Sequence, residues 1–122
     1  MLDRAYKTLD HILEEMEQKN QVRIHQSWKI NERHYGSLEG LCKHETAKIY
    51  GKDQVKLWRQ SYDNPPPFIG FEDQKHPRFD PLYSDVHEAE HQGMPLGESL
   101  RMVRDRITPY WNKDIIGKMI QE

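Results

Sequence analysis

One short run constrains this chain more than any other. From Val22 to Ile30 the residues alternate, with Val22, Ile24, Gln26, Trp28 and Ile30 on one side and Arg23, His25, Ser27 and Lys29 on the other. A period of two predicts a strand with one buried face. A lone strand cannot satisfy its backbone, so this one needs a partner. No other segment repeats the pattern convincingly, and everything else with a period has a helical one.

Ahead of the run, Leu2, Ala5, Tyr6, Leu9, Ile12, Leu13 and Met16 recur at steps of three and four, which predicts an amphipathic helix from Leu2 to about Gln18. Behind it, Asn31 to Gly40 is polar and holds two glycines, so it reads as a loop at a strand's end, where function often sits. A short helix is expected over Lys43–Tyr50, closed by Gly51, and a second over Lys52–Tyr62 with Val55, Leu57 and Trp58 available for packing. Pro65, Pro66 and Pro67 stop that helix and impose an extended path. Residues 68–94 show no sustained period and read as a long irregular excursion, which is uncommon unless functional or mobile. A final helix is expected from about Gly97-Glu98-Ser99, carrying Leu100, Val103, Ile107, Tyr110 and Trp111, with Pro109 kinking or splitting it. Ile115, Ile116, Met119 and Ile120 continue the apolar stripe.

The length of 122 residues suits one domain. Three Trp, six Tyr and three Phe argue against disorder, yet the mean hydropathy of -1.01 is low for a chain that buries its own core. Together with the unpartnered strand, this implies that part of the core comes from elsewhere. A net charge of -2 favours neither nucleic acid nor an anionic membrane as partner. No apolar run approaches the roughly 20 residues of a membrane span, and Met1-Leu2-Asp3-Arg4 begins no signal peptide. A single cysteine, Cys42, rules out an intrachain disulfide, so the expected location is cytoplasmic.

Three groups of residues have candidate chemistry. Glu32, Arg33 and Tyr35, followed by Lys43 and Arg59, combine a carboxylic acid with cations suited to phosphate. The alternative is a solvated polar loop with a charged helix behind it. His87-Glu88-Ala89-Glu90-His91 is a literal H-E-x-x-H, which on a helix would place two zinc ligands on one face with Glu88 as base. It lies in the irregular stretch with no third ligand evident, and a charged surface segment is the plainer reading. Cys42 is a candidate nucleophile with no histidine tied to it, so a lone, partly buried cysteine is expected. Trp28, Trp58 and Trp111 sit on apolar faces and read as core.

The run Ser27-Trp28-Lys29-Ile30-Asn31-Glu32-Arg33-His34-Tyr35-Gly36 resembles the signature S-W-[RK]-[LI]-N-E-R-H-Y-G of cofactor-dependent phosphoglycerate mutases. Leu38-x-Gly40-Leu41-x-Lys43-x-Glu45-Thr46-Ala47 is similar to that family's L-x-G-L-N-K-x-E-T-A. Gln54 to Asp63 is similar to Q-V-x-x-W-R-R-S-[YF]-D, with the three prolines following. Pro95 to Leu100 resembles P-L-T-E-S-L, Pro109 to Asn112 matches P-Y-W-N, and Arg4-Ala5-x-x-Thr8 resembles the tail of S-x-L-x-R-A-x-x-T. The matches are in order and run nearly end to end.

The resemblance implies an α/β fold of the histidine phosphatase superfamily. The 122 residues would be the central portion of a single such domain, mostly helical with one clear strand, lacking most of the central parallel sheet. It implies interconversion of 3- and 2-phosphoglycerate in glycolysis through a phosphohistidine primed by 2,3-bisphosphoglycerate, with no metal. Carried over by position, Glu32 is the general acid/base that moves the substrate hydroxyl proton. Arg4 belongs to the phosphate pocket, and Arg33, Tyr35, Lys43 and Arg59 hold the substrate's phosphate and carboxylate. Gln60 stands where the family usually has a second substrate-binding arginine, and Cys42 where it has Asn. The R-H-G-E stretch with the nucleophilic histidine and the later H-G-N stretch with the second histidine do not occur in these residues. The expectation is therefore a truncated chain that is inactive alone and associates as a homo-oligomer. A non-catalytic fragment or assembly module is the alternative in another class, and a bisphosphoglycerate mutase or phosphatase the alternative enzyme.

Overall fold

The computed structural model describes residues 2–121. Met1 lies outside them, as does the side chain of Met119 from the expected terminal stripe. Helix α1 spans Asp3–Glu15, α2 Lys43–Tyr50, α3 Lys52–Gln60, α4 Glu88–His91, α5 Leu100–Tyr110 and α6 Gly117–Gln121. Short 3-10 turns form at Trp28–Ile30, Gly36–Leu38, Pro77–Phe79 and Pro81–Tyr83.

Among the described residues there is no strand. The expected strand over Val22–Ile30 is an irregular, extended segment that closes into the 3-10 turn at Trp28. The reason is the one the alternation itself raised: no second segment offers a hydrogen-bonding edge, so no ladder forms. The apolar face is consequently uncovered, with Val22, Ile24 and Ile30 exposed, while Trp28 alone of that side's large residues is buried. The chain is thus mostly helical.

The helices lie close to where their periods put them. α1 ends at Glu15 and buries only Leu13, leaving Tyr6, Ile12 and Met16 exposed. α2 and α3 meet at Gly51 as expected, but α3 ends at Gln60, with Val55 buried and Leu57 exposed. Ser99 caps α5, its hydroxyl accepting from the Met102 amide. Pro109 has no N–H for the carbonyl four residues back, and beyond it the winding loosens into a π-helix over Trp111–Ile116. Trp111 is exposed rather than core, because no element covers that face. Cys42 is likewise exposed, not partly buried.

The stretch from 68 to 94 holds two 3-10 turns and the short α4, and it supplies part of the core. Tyr83 and Met94 pack with Trp28, and Val86 lies against them. Two polar contacts tie this stretch to the rest of the chain: the indole Nε1 of Trp28 donates to Glu90 at 3.1 Å, and Asn31 Nδ2 donates to the Tyr83 hydroxyl at 2.7 Å. Backbone bonds from Ser37 N to Pro67 O and from Ile69 N to Leu96 O stitch the polar loop, the proline segment and the entry to α5 together. Gly36 sits at the tightest point of that seam with φ of 57°.

Candidate functional site

The polar loop, α1, α2 and α3 converge on one cleft of about 550 Å3. Arg4 enters from the first turn of α1, Glu32, Arg33 and Tyr35 from the loop, Lys43 from the start of α2 and Arg59 from the last turn of α3. Six of the seven residues singled out in the sequence therefore share one lining. Gln60 is the exception: it is exposed at the end of α3 and does not line the cleft.

Arg4 Nη2 donates to Glu32 Oε2 in an ion pair across 28 residues of sequence. Both side chains are more than half exposed, so the pair adds little stability. Its importance is positional, since it ties the first turn of α1 to the carboxylate. Arg33 is buried, and its Nη2 donates to the Arg59 carbonyl. The Tyr35 ring receives both guanidinium groups, Arg33 Cζ at 4.7 Å and Arg59 Cζ at 4.8 Å from its centroid. The ring quadrupole favours a cation at such distances. Arg33 Nη1 and Arg59 Nε remain buried without partners. Two cations held at one ring, with donors unspent, form a site of positive potential that an anion would relieve.

The loop bearing Glu32 and Arg33 is fixed from behind. Glu98 Oε2 accepts from the His34 amide at 2.9 Å, and the Glu98 amide donates to the His34 carbonyl at 2.8 Å. Arg106 pairs with both Glu98 oxygens and donates to the carbonyls of Trp28, Lys29 and Asn31. Sequence reading missed both roles. Glu98 stood out only within a helix-start pattern and the stretch similar to P-L-T-E-S-L, and Arg106 looks like any charged residue on a helix; their pairing eight residues apart becomes visible only once Glu98 is seen to lie outside α5.

The far end of the cleft holds His76 and Tyr83. His76 is buried, its Nδ1 accepts from the Arg78 amide at 3.1 Å, and burial first, then Arg78, His34 and His91, hold its pKa below the usual 6.5. Burial raises the Tyr83 phenol, against the opposing pull of its hydrogen bond with Asn31.

The H-E-x-x-H residues do not present two histidines on one helical face. His87 is the N-cap of α4, its Nδ1 accepting from the Ala89 amide at 3.2 Å, and His91 Nε2 donates to the Tyr83 carbonyl at 3.2 Å. Among the described residues no group of three or more His, Cys, Asp or Glu side chains is arranged to hold a metal ion. Nor, among them, is any helix long and apolar enough to cross a membrane.

A family model described as histidine phosphatase superfamily (branch 1) matches residues 1–75, more than half of the chain. The chain belongs to the histidine phosphatase superfamily. The match contains every candidate site residue from Arg4 to Gln60 and stops short of Glu98 and Arg106. That superfamily includes phosphatases and mutases.

Proposed function

We propose that these residues carry the proton-transfer and anion-binding part of a phosphoglycerate mutase, as the central portion of one domain. The observation that supports this most is the convergence of Arg4, Glu32, Arg33, Tyr35, Lys43 and Arg59 on a single cleft. A phosphoglycerate offers a phosphate, a carboxylate and a hydroxyl. Arg33 and Arg59 suit the two anionic groups through bidentate forks, with Lys43 adding a compact charge. Tyr35 sets the spacing of the two guanidinium groups by holding both against its ring. Glu32 takes and returns the hydroxyl proton, and Arg4 keeps its carboxylate at the cleft wall. Gln60, which stands where the family usually has an arginine, lies outside the lining and takes no part in this reading.

The donor set also fits the anionic groups of 2,3-bisphosphoglycerate, which would be held by the same arginines and Lys43. When bound, that molecule supplies the phosphoryl group that primes the enzyme. No histidine of these 122 residues stands in an R-H-G stretch, so the phosphoryl acceptor is not among them and the chain by itself does not turn over. The reading needs no metal, nucleic acid or membrane, and places the protein in the cytoplasm as a homo-oligomer. The same missing stretch favours, as a second reading, a binding or assembly module that holds the anion without chemistry.

Calorimetric titration of the 122-residue chain with 3-phosphoglycerate tests the proposal. Binding is expected, weakened roughly tenfold or more by Arg59→Gln, the scale of one charge-assisted hydrogen bond. Glu32→Gln leaves affinity nearly unchanged, because a proton-transfer group acts in the reaction rather than in binding. Absence of binding, or binding indifferent to Arg59, overturns the reading.

A further inference from the structure

The residues expected to act, Glu32 and Arg33, lie on a loop with no regular structure of its own. What holds them is a buried ion pair from a different part of the chain. The Arg106 side chain is 10% exposed and that of Glu98 3%, and every N–H of the Arg106 guanidinium has an acceptor. Nε donates to Glu98 Oε1 at 2.7 Å. Nη1 donates to the carbonyls of Trp28 at 3.2 Å and Lys29 at 2.9 Å. Nη2 donates to the Asn31 carbonyl at 3.2 Å and to Glu98 Oε2 at 2.9 Å. Glu98 in turn holds His34 through its side chain and its amide.

The contacts bracket the active pair. Arg106 holds the residue before Glu32, and Glu98 holds the residue after Arg33, so the dipeptide is suspended between two pinned neighbours. Removing two charges from water is costly, and a pair of this kind is weak evidence for stability as such. A well-packed apolar pair would fill the space, but it could not fix three carbonyls and an amide at once. The ion pair can, because the planar guanidinium with five donors holds the three carbonyls and the Glu98 carboxylate accepts from the His34 amide, whereas a lysine with three rotatable donors could not span the same set.

We infer that Glu98 and Arg106 are positioning residues for the Glu32–Arg33 loop, acting on ligand affinity through Arg33; Arg106 borders the cleft, but all five of its N–H groups are spent on Glu98 and the three carbonyls. Its functional half rests on the anion-binding role proposed above for the cleft; its structural half stands without it. The clamp also links the site to α5, so that two helices from opposite ends of the sequence bear on the same carboxylate-bearing loop, α1 through Arg4 and α5 through Arg106.

The test uses the 122-residue chain, with Arg106→Lys and Arg106→Gln, read by two independent measurements. Without ligand, amide hydrogen exchange followed residue by residue is expected to accelerate at His34, and at neighbours from Asn31 to Tyr35, by about tenfold or more in both variants. Protection in α2 and α3 should persist. With 3-phosphoglycerate as the probe, affinity is expected to fall roughly tenfold in Arg106→Lys, and that fall should largely vanish when the substitution is made in an Arg33→Gln background. A general weakening of the fold would instead raise exchange everywhere and add to the effect of Arg33→Gln. Arg106→Lys with normal exchange at His34 overturns the inference, as does an affinity loss independent of Arg33. If the unsubstituted chain does not bind 3-phosphoglycerate while exchange at 31–35 still rises selectively in the variants, the mutase reading fails and the clamp stands.

Discussion

Replacing Gly36 with Ala should be among the most damaging single changes outside the core, and the structure gives the magnitude. Gly36 has φ of 57°, a left-handed conformation that costs an L-residue about 1–2 kcal/mol. A Cβ there would lie 2.2 Å from the Pro67 carbonyl oxygen and 3.3 Å from the Leu96 oxygen. These are backbone atoms that cannot swing aside. The Pro67 oxygen also accepts from the Ser37 amide at 2.9 Å, so its retreat loses a hydrogen bond worth about 1 kcal/mol. The sum is about 3 kcal/mol, a large share of the roughly 5–15 kcal/mol that holds a domain together. For a chain of this size the thermal midpoint should fall by roughly 10 °C. Gly97 is the internal control. A Cβ there would lie 2.8 Å from Cδ1 of Phe68, a side chain of a residue 54% exposed, and 3.3 Å from the Gly36 Cα, a far milder backbone approach than the one at Gly36. Gly97→Ala should therefore cost about 1 kcal/mol or less, within the ordinary range for a tolerated change. Urea titrations of both variants, monitored by tryptophan fluorescence, would compare them directly. Equal costs, or a loss below about 1 kcal/mol for Gly36→Ala, would show that the loop does not close on Pro67 as described.

Acid should weaken the fold through His76. Its folded pKa lies below the usual 6.5, so below about pH 6.5 the unfolded chain takes up a proton that the folded chain refuses; stability then falls as pH drops and levels off above neutrality. His76→Gln is expected to flatten the change in thermal midpoint between about pH 7.5 and 5.5, and an unchanged slope would assign the effect to other groups. The chain should also self-associate: its accessible surface of 8866 Å2 exceeds by about 2,000 Å2 what a compact monomer of this mass exposes, and Ile12, Met16, Ile49 and Ile120 contribute exposed apolar area. Sedimentation across a dilution series should show a dimer or larger species, whereas a monomer at every concentration would mean that these faces tolerate water. Incubation with 2,3-bisphosphoglycerate should leave the intact mass unchanged, and a stable phosphoryl adduct would mean that a histidine outside any R-H-G stretch can be phosphorylated.

The sequence by itself determined the helices and most of the cleft's lining. Helical periods depend on neighbours three and four residues away, so α1, α2, α3 and α5 were legible within a few residues at their ends. The lining was legible for a different reason: Glu32, Arg33, Tyr35, Lys43 and Arg59 lie in ordered stretches whose residue types match a known pattern. Tertiary structure decided the rest, because the deciding contacts are long-range. The alternation over Val22–Ile30 predicted a strand that did not form, since a strand exists only by hydrogen bonding to another. Residues 68–94 have no period to read, yet Tyr83 and Met94 from that stretch meet Trp28 to make the core. Arg106 shows the limit most plainly. Nothing in its sequence neighbourhood marks it, and its meaning comes entirely from three carbonyls more than 70 residues away that a folded chain brings within reach of one guanidinium.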